Sequence, residues 1–342
     1  MVSDHAVAPA RGADTSLSSG VRVPPLAWFL IKRIAQSVVV IFFVTLIVFG
    51  LLHALPGGPA RGILGQQANP EQIAAFNRAQ GFDRPLPEQY WLYLDRLLHG
   101  DLGQSYKLNQ SVIGLIGQRL PRTVLLSGLS TAAALLLAVP LGVWQAVRRR
   151  RAPDYVITGG AFVAYATPSF FLGLLLILLF AEKVPLFPPQ APQASSLGGI
   201  LADPRALVLP VLTGTAATVA VFSRYVRSSV LDNLAEDYTR TARAKGVAER
   251  RVVGIHILRN SLTSVITMLG YYVPVVFSGA IVIESIYNYP GMGLLFWQAA
   301  QTSDYPIELG VVLVIAVATV AGSLLADLLQ AVADPRVRGS IR

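Results

Sequence analysis

Six stretches of this 342-residue chain hold apolar positions with few charges, and between them polar and charged residues return. A bilayer core of about 30 Å needs about 20 apolar residues in helical form, so each stretch has the length of a membrane span. The first covers residues 27–52 (AWFLIKRIAQSVVVIFFVTLIVFGLL), with Lys32 and Arg33 near its start, where long basic side chains reach back to the interface. The others cover residues 123–147, 155–181, 206–226, 262–286 and 306–332. The pattern predicts an all-α, polytopic membrane protein with six transmembrane helices.

The polar stretches between the spans divide the chain further. Residues 1–26 are rich in Ala, Ser, Gly and Pro without hydrophobic period, which predicts a disordered tail, and residues 333–342 form a second, short tail. The first span is longer than the apolar core of a signal peptide, and LLHALPGGP offers no small-x-small cleavage site, so a retained helix is expected. Residues 53–122 are too long for a turn. Within them Asn69 or Pro70 opens one short helix that Gly81 ends, and Pro87 opens another whose apolar face is Tyr90, Trp91, Leu94, Leu97 and Leu98. Residues 123–332 then form a five-helix core that contains a polar segment at 228–260.

Charge sets the orientation. The chain has 28 Lys and Arg against 19 Asp and Glu, yet only 14% of residues are charged and 53% are hydrophobic, whereas a soluble domain averages about 25% charged. A net charge of +9 in so apolar a chain points to basic loops on an anionic membrane surface, not to nucleic acid. With six spans drawn, Lys32, Arg33, Arg148 to Arg151, Arg224, Arg227, the 240–259 cluster and Arg336, Arg338 and Arg342 all fall on one side. The loop at 286–305 has no Lys or Arg, and the 53–122 loop balances its basic residues with Glu71, Asp83, Glu88, Asp95 and Asp101. Both termini are therefore expected in the cytoplasm. There is no cysteine, which excludes disulfides and thiolate metal sites, and His53, His99 and His256 lack ligand spacing.

The segment at 228–260 (SSVLDNLAEDYTRTARAKGVAERRVVGIHILRN) then lies in the cytoplasm between the fourth and fifth spans. It predicts two helices: Ser229 or Asp232 as the first N-cap, Glu236 and Asp237 in an early turn, Gly246 at the C′ position, and a second helix from Ala248. Ala242, Gly246, Val253 and Ile257 keep near-helical spacing, and the small residues among them suit close approach by a partner. Charge fits a helix lying on anionic lipid equally well.

Polar residues inside spans are few. Tyr271, Tyr272, Pro274, Ser278 and Glu284 are the candidates for a pathway or gate, although tyrosines near a span end also serve as membrane-belt residues and Glu284, near the external end, also fits simple hydration. Asp327 reads as an interface residue. Pro210 and Pro274 are hinge candidates, since proline removes an intrahelical hydrogen bond.

At this point the sequence resembles the permease subunits of ABC importers of the dipeptide, oligopeptide and nickel type, over nearly the whole chain after residue 26. Tyr238 to Gly246 with RRVVGIHILRN is similar to the cytoplasmic loop usually written E-A-A-x3-G; Ala242 and Gly246 match it, and Arg240 and Thr241 stand where the general motif has Glu and Ala. HALPGGP (53–59), GDLGQSY (100–106), RLPRTVLL (119–126), IVIESIYNYPGMGLL (281–295), DYPIELGVVLV (304–314) and the terminal ADPRVRGSIR add to the likeness, in the order and spacing of the family.

The resemblance implies a type I ABC importer permease fold in the bacterial plasma (inner) membrane. It implies four kinds of partner: a second homologous permease, two ATPase subunits or domains, an extracellular or periplasmic substrate-binding protein, and the lipid bilayer. Tyr238, Arg240, Thr241, Ala242, Arg243, Ala244, Lys245, Gly246, Arg250 and Arg251 would couple to the ATPases. ATP and magnesium would be bound by those partners, and no cofactor by this chain. No G-x4-G-K-[ST] loop occurs in the sequence, in line with a transport subunit that is not itself an enzyme. Peptides are the leading substrate, with nickel, haem or another small solute as alternatives. A secondary transporter would need inverted repeats or midplane ion ligands, and a membrane enzyme a cluster of nucleophile, acid and base; neither pattern is present in the sequence.

Overall fold

A computed structural model of the chain describes residues 25–55, 57–65, 67–105 and 107–333, without the side chains of 25–27, 273, 275–279 and 329–333. The tail at 1–24, residues 334–342 and the side chain of Ser278 thus lie outside the described residues. Fourteen α-helices, two π-helical turns and one two-stranded ribbon are the regular elements of the described residues. Five helical stretches are long and apolar enough to cross a membrane by themselves: they fall in α1 (Pro25–His53), α5 (Val112–Val147), α9 (Pro204–Ala235) and α14 (Tyr305–Ala333), and over Glu249–Tyr272, which leads into α12 (Leu258–Ile286).

The expected third span is not one straight helix. It is α6 (Ala152–Ala166) followed by α7 (Ser169–Ile177) and a π-helical turn, Leu178–Lys183, and the two arms meet at 100°. Thr167-Pro168 causes the break. Proline has no N–H to continue the ladder and its ring drives the preceding residue out of the helical region; Thr167 sits at φ −76°, ψ 122°. Together the two arms are long and apolar enough to make a sixth span.

Helix directions follow from residue pairs that touch. Leu126 clusters with Leu209, Thr215 Oγ1 donates to the Ser130 carbonyl at 3.1 Å, and a Cβ on Gly142 would lie 2.7 Å from the Ser223 carbonyl and from Val226. The offset between partners stays nearly constant, so α5 and α9 run parallel, and the segment between them has to return the chain to the side where α5 starts. By the same reasoning α9 and α12 are antiparallel, through Ser229 with Ser261 and Thr218 with Tyr272, and α12 packs beside α14, where Tyr271 meets Asp327. Arg33 Nη2 pairs with Asp327 at 3.0 Å and joins α1 to α14. Asp327, expected as an interface residue, is buried in the last turns of α14 and is neutralised there by Arg33.

Beyond the His53 end of α1 lies a helical cap: α2 (Gly58–Leu64), α3 (Pro70–Gln80), α4 (Leu86–Leu98) and a ribbon of β1 (Gln104–Ser105) and β2 (Gln110–Ser111). Asn69 and Gln72 form a capping box at the start of α3, and Gly81 ends it in the left-handed region at φ 74°. The face predicted for α4 splits in two. Tyr90, Tyr93, Leu94 and Leu97 are partly covered, whereas Trp91 is 72% and Leu98 87% exposed. A cavity of about 160 Å³ separates the cap from α1 and α14.

Candidate functional site

Both ends of α12 carry an elbow. At its start, α9 continues through Ser229 and Asp232 to Ala235, so neither is an N-cap; the turn begins at Glu236 and leads into α10 (Asp237–Ala244). Asn233 in the last turn of α9 is the hub of that corner. Its Nδ2 donates to the Ser229 carbonyl at 2.7 Å and to Ser261 Oγ at 3.2 Å, and its Oδ1 accepts from the Tyr238 hydroxyl at 2.6 Å. Thr239, fully buried, donates to the Asn233 carbonyl at 2.8 Å. Three helices are thereby fixed to one side chain.

RTARAKG then ends α10 in a Schellman motif. Gly246, at φ +76°, donates to the Arg243 carbonyl at 2.9 Å, and Val247 N–H to the Ala242 carbonyl at 3.2 Å. A left-handed residue is required at that position, and glycine takes it without steric cost. Val247 packs on the core cluster that also holds Ala242, Val226, Val252 and Ile257. Ala242 is only 8% exposed, so its small face meets the chain's own core; this corrects the expectation that Ala242 presents itself to a partner. The outward face is Arg240, Thr241, Ala244, Lys245 and Gly246, and a Cβ on Gly246 would meet nothing within 4 Å.

After Gly246 the chain enters α11 (Glu249–Arg251) and a π-helical turn, Val252–Ile257, that runs straight into α12. The second predicted helix is therefore the root of the fifth span. Arg250 and Arg251 are exposed on it. Arg243 makes two hydrogen bonds to Glu249, at 2.6 and 3.1 Å, and this pairing holds the Arg243 guanidinium above its ordinary pKa. Arg240 pairs with Asp237 at 3.4 Å on the open surface.

At the far end of α12, Glu284 is fully buried, and this corrects both the pathway and the hydration readings. Its carboxylate accepts from Thr123 Oγ1 at 2.6 Å, from Gly293 N–H at 2.6 Å and from Leu294 N–H at 3.1 Å. Those two amides open α13 (Met292–Thr302), whose first N–H, on Met292, donates to Thr123 Oγ1 at 2.8 Å. The acid thus caps a helix N-terminus from inside the protein, where orphan donors and the helix dipole both favour a negative charge. A Cβ on Gly293 would lie 2.4 Å from the Ile281 Cα, so the turn and α12 touch backbone to backbone.

Arg122 extends the knot, donating to the carbonyls of Pro290 at 3.2 Å and Ser195 at 2.7 Å, while Tyr289 donates to the Arg122 carbonyl at 2.8 Å. Burial pushes the Tyr289 phenol up. Sequence reasoning missed Arg122, Thr123 and Tyr289 as members of one cluster. No local pattern joins RLPRT to the acid ahead of the Pro290-Gly291-Met292-Gly293 turn.

The other gate candidates disperse. Tyr272 is half-buried, stacks edge-on against Phe222 at 5.2 Å and shares a hydrogen bond with Thr218; Tyr271 is 52% exposed and donates to Asp327 at 3.3 Å. Pro274 lies within α12 without ending it. A cleft of about 650 Å³, lined by Tyr165, Arg224, Tyr225, Ser228, Asp232 and Ser264 among others, opens between α6, α9 and α12 on the α10 side of the bundle. No sequence pattern marked it.

Residues 138–339 match the family of binding-protein-dependent transport system inner membrane components, and residues 26–127 match the N-terminal part of such membrane components. The oligopeptide transport system permease protein AppB of Bacillus subtilis is 36% identical over 314 residues, 91% of this chain and 99% of AppB. The glutathione transport system permease protein GsiC of Escherichia coli is 35% identical over 310 residues, 91% of this chain and 98% of GsiC. The chain belongs to the binding-protein-dependent transport inner membrane component family. It is a multi-pass permease component of an ABC transport system of the inner membrane.

Proposed function

We propose that this chain forms half of the translocation pathway of an ATP-driven importer of dipeptides and oligopeptides, and that α10 is the surface on which an ATPase subunit pushes. The observation that carries the reading is the construction of α10. Its outward face is open, with small residues at Ala244 and Gly246, while its inward face is locked to α9 and α12 by Asn233, Thr239 and Ala242. A push on such an element moves both helices as a body, which is the mechanical requirement for coupling nucleotide binding to alternating access. A second homologous permease completes the pathway, two ATPase subunits bind ATP with magnesium, and an external binding protein delivers substrate.

The same reading sets the topology at six crossings with both termini cytoplasmic. The parallel run of α5 and α9 favours counting α6 with α7 as one crossing, and Arg33, Arg227 and α10 lie on one side of the bundle, as the positive-inside rule asks. Peptide as substrate rests on relatives such as the oligopeptide permease AppB, and the glutathione permease GsiC keeps glutathione beside it.

The cysteine-free chain permits a direct test. In the assembled complex, Ala244→Cys is expected to form a disulfide-length cross-link to a cysteine placed in the ATPase, and Ala244→Trp to abolish peptide uptake while leaving complex assembly measurable. Uptake that persists in cells lacking the ATPases would sink the coupling role. Uptake of nickel or haem in place of labelled peptide would move the substrate and leave the coupling reading standing.

A further inference from the structure

One apolar flank outside the spans stays largely open among the described residues: that of α4, where Trp91 and Leu98 are exposed and Leu94 between them is partly covered. The contacts of α4 with α1 form a ladder that fixes which way this flank points. Gln89 Oε1 bonds to His53 Nε2 at 2.7 Å, at the very end of α1. Tyr93 lies on Phe49, one turn deeper, with ring centroids 5.8 Å apart. Tyr90 reaches deepest, to Thr45 at 2.9 Å and to Phe42 at 6.1 Å between centroids. At about 1.5 Å per residue, Thr45 is about 12 Å and Phe42 about 16 Å below His53.

Going round α4 from Gln89 to Tyr90, its contacts therefore descend along α1. Trp91 is the next residue, about 100° further round, and Leu94 and Leu98 share its flank at helical spacing. The opposite flank belongs to the cap: Gln89 Nε2 donates to the Phe82 and Arg84 carbonyls, and Arg96 donates to Gln80. Glu88 and Asp95, three residues before and four after Trp91, border the Trp91 flank on its far side from α1, and Arg84, just ahead of α4, pairs with Glu88.

We propose that α4 is an interfacial membrane helix, with Trp91, Leu94 and Leu98 embedded among the acyl chains of the leaflet at the His53 end of α1. The patch is continuous with the lipid-facing surface of a span, because Phe42, exposed on α1, meets Tyr90 edge-on. Tryptophan with leucine on one flank and charges beside them is the composition of helices that lie in the interface. The cap is thereby anchored to the bilayer, which restricts how far it tilts away from the mouth of the bundle.

The test uses the full-length chain in phosphatidylcholine vesicles with Trp28, Trp144 and Trp297 changed to Phe, so that Trp91 is the one emitter. Lipid brominated on its acyl chains is expected to lower Trp91 emission at least about twofold, and iodide on both faces to leave it nearly unchanged. Quenching by iodide without quenching by brominated lipid overturns the proposal, and so does quenching by neither, which means a protein cover. Should the triple substitution fail to fold, Leu98→Cys and Asp95→Cys in the otherwise unaltered chain take its place. A membrane-impermeant maleimide is expected to modify Asp95→Cys about tenfold faster than Leu98→Cys in vesicles, and equally fast after unfolding in detergent. Equal rates in vesicles would end the idea.

Discussion

The two ends of α12 solve one problem, turning the chain into a short helix, with polar groups placed in opposite surroundings. At the Ile286 end the polar groups are sealed: Glu284 has no exposed surface and accepts three hydrogen bonds, two of them from the first turn of α13. At the Leu258 end the apolar and hub residues are sealed, but the charged ones, Arg240, Arg243, Asp237 and Glu249, stand in the open. The contrast separates what holds a corner from what a corner offers. A buried carboxylate with every donor aimed at it has nothing left for a substrate or partner, whereas an open face resting on a rigid corner can be pressed.

The largest expected effect breaks the sealed end. Glu284→Ala strands Thr123 Oγ1, Gly293 N–H and Leu294 N–H in a buried site; unsatisfied buried donors cost about 1–3 kcal/mol each, so a loss of at least about 3 kcal/mol is expected. Purified variant should show a sharply lower thermal midpoint by fluorescence-detected size exclusion, or fail to accumulate. Glu284→Gln sharpens the point. It keeps the acceptor for the two amides and turns its NH2 toward Thr123, whose hydroxyl oxygen can accept, so a loss of about 1 kcal/mol is expected. Equal damage from Ala and Gln would mean that the charge, and not the hydrogen-bond set, holds the elbow. Gly293→Ala falls between them at about 1–3 kcal/mol, because its Cβ would run into Ile281 backbone that cannot swing away.

The next test exchanges the roles of the two ends. Asn233→Ala removes the side chain shared by α9, α10 and α12 and should cost about 1–2 kcal/mol while detaching Tyr238 from its anchor. Its signature is a split: assembly with the ATPases persists, but peptide uptake per ATP hydrolysed falls. If uptake and hydrolysis fall in proportion, α10 serves only as a contact, and the corner is not a lever.

How much of this was legible in the sequence depended on whether the cause was local. Spans could be read from hydropathy because lipid imposes its demand on each run separately, and Asn69, Gly81 and Gly246 could be read as caps because a cap is a property of a few adjacent residues. Thr167-Pro168 was equally local, but a hydropathy run treats proline as one apolar position among many and hides a 100° bend. The Glu284 cluster was not legible in the same way. Thr123 lies 161 positions from Glu284, and nothing near either residue says that they meet. Ala242 shows the remaining ambiguity: a small residue on a helix face suits a close neighbour, and the pattern does not say whether that neighbour is a partner or the chain's own Val252 and Ile257.

The smallest expected effect lies on the open face, and it isolates function from stability. Arg243 and Glu249 form a well-aligned pair, but both are about half exposed, and pairs of that kind contribute about 0.2–1 kcal/mol. Arg243→Ala should therefore leave the thermal midpoint within about 1–2 °C, while the Schellman turn, built from backbone bonds to Gly246 and Val247, stays in place. Gly246→Ala acts on that turn and not on the charge, costing about 1 kcal/mol through the left-handed residue alone, since its Cβ meets no neighbour. If the face is read by shape, Gly246→Trp should abolish coupling at a stability cost close to that of Gly246→Ala, because the added ring projects into open space where only a docked partner would feel it. If it is read by charge, Arg243→Ala should lower coupling as much as Gly246→Trp does, and raising the salt concentration should weaken ATPase binding to the unaltered chain. The sealed end predicts no such division: there, stability and transport have to fail together.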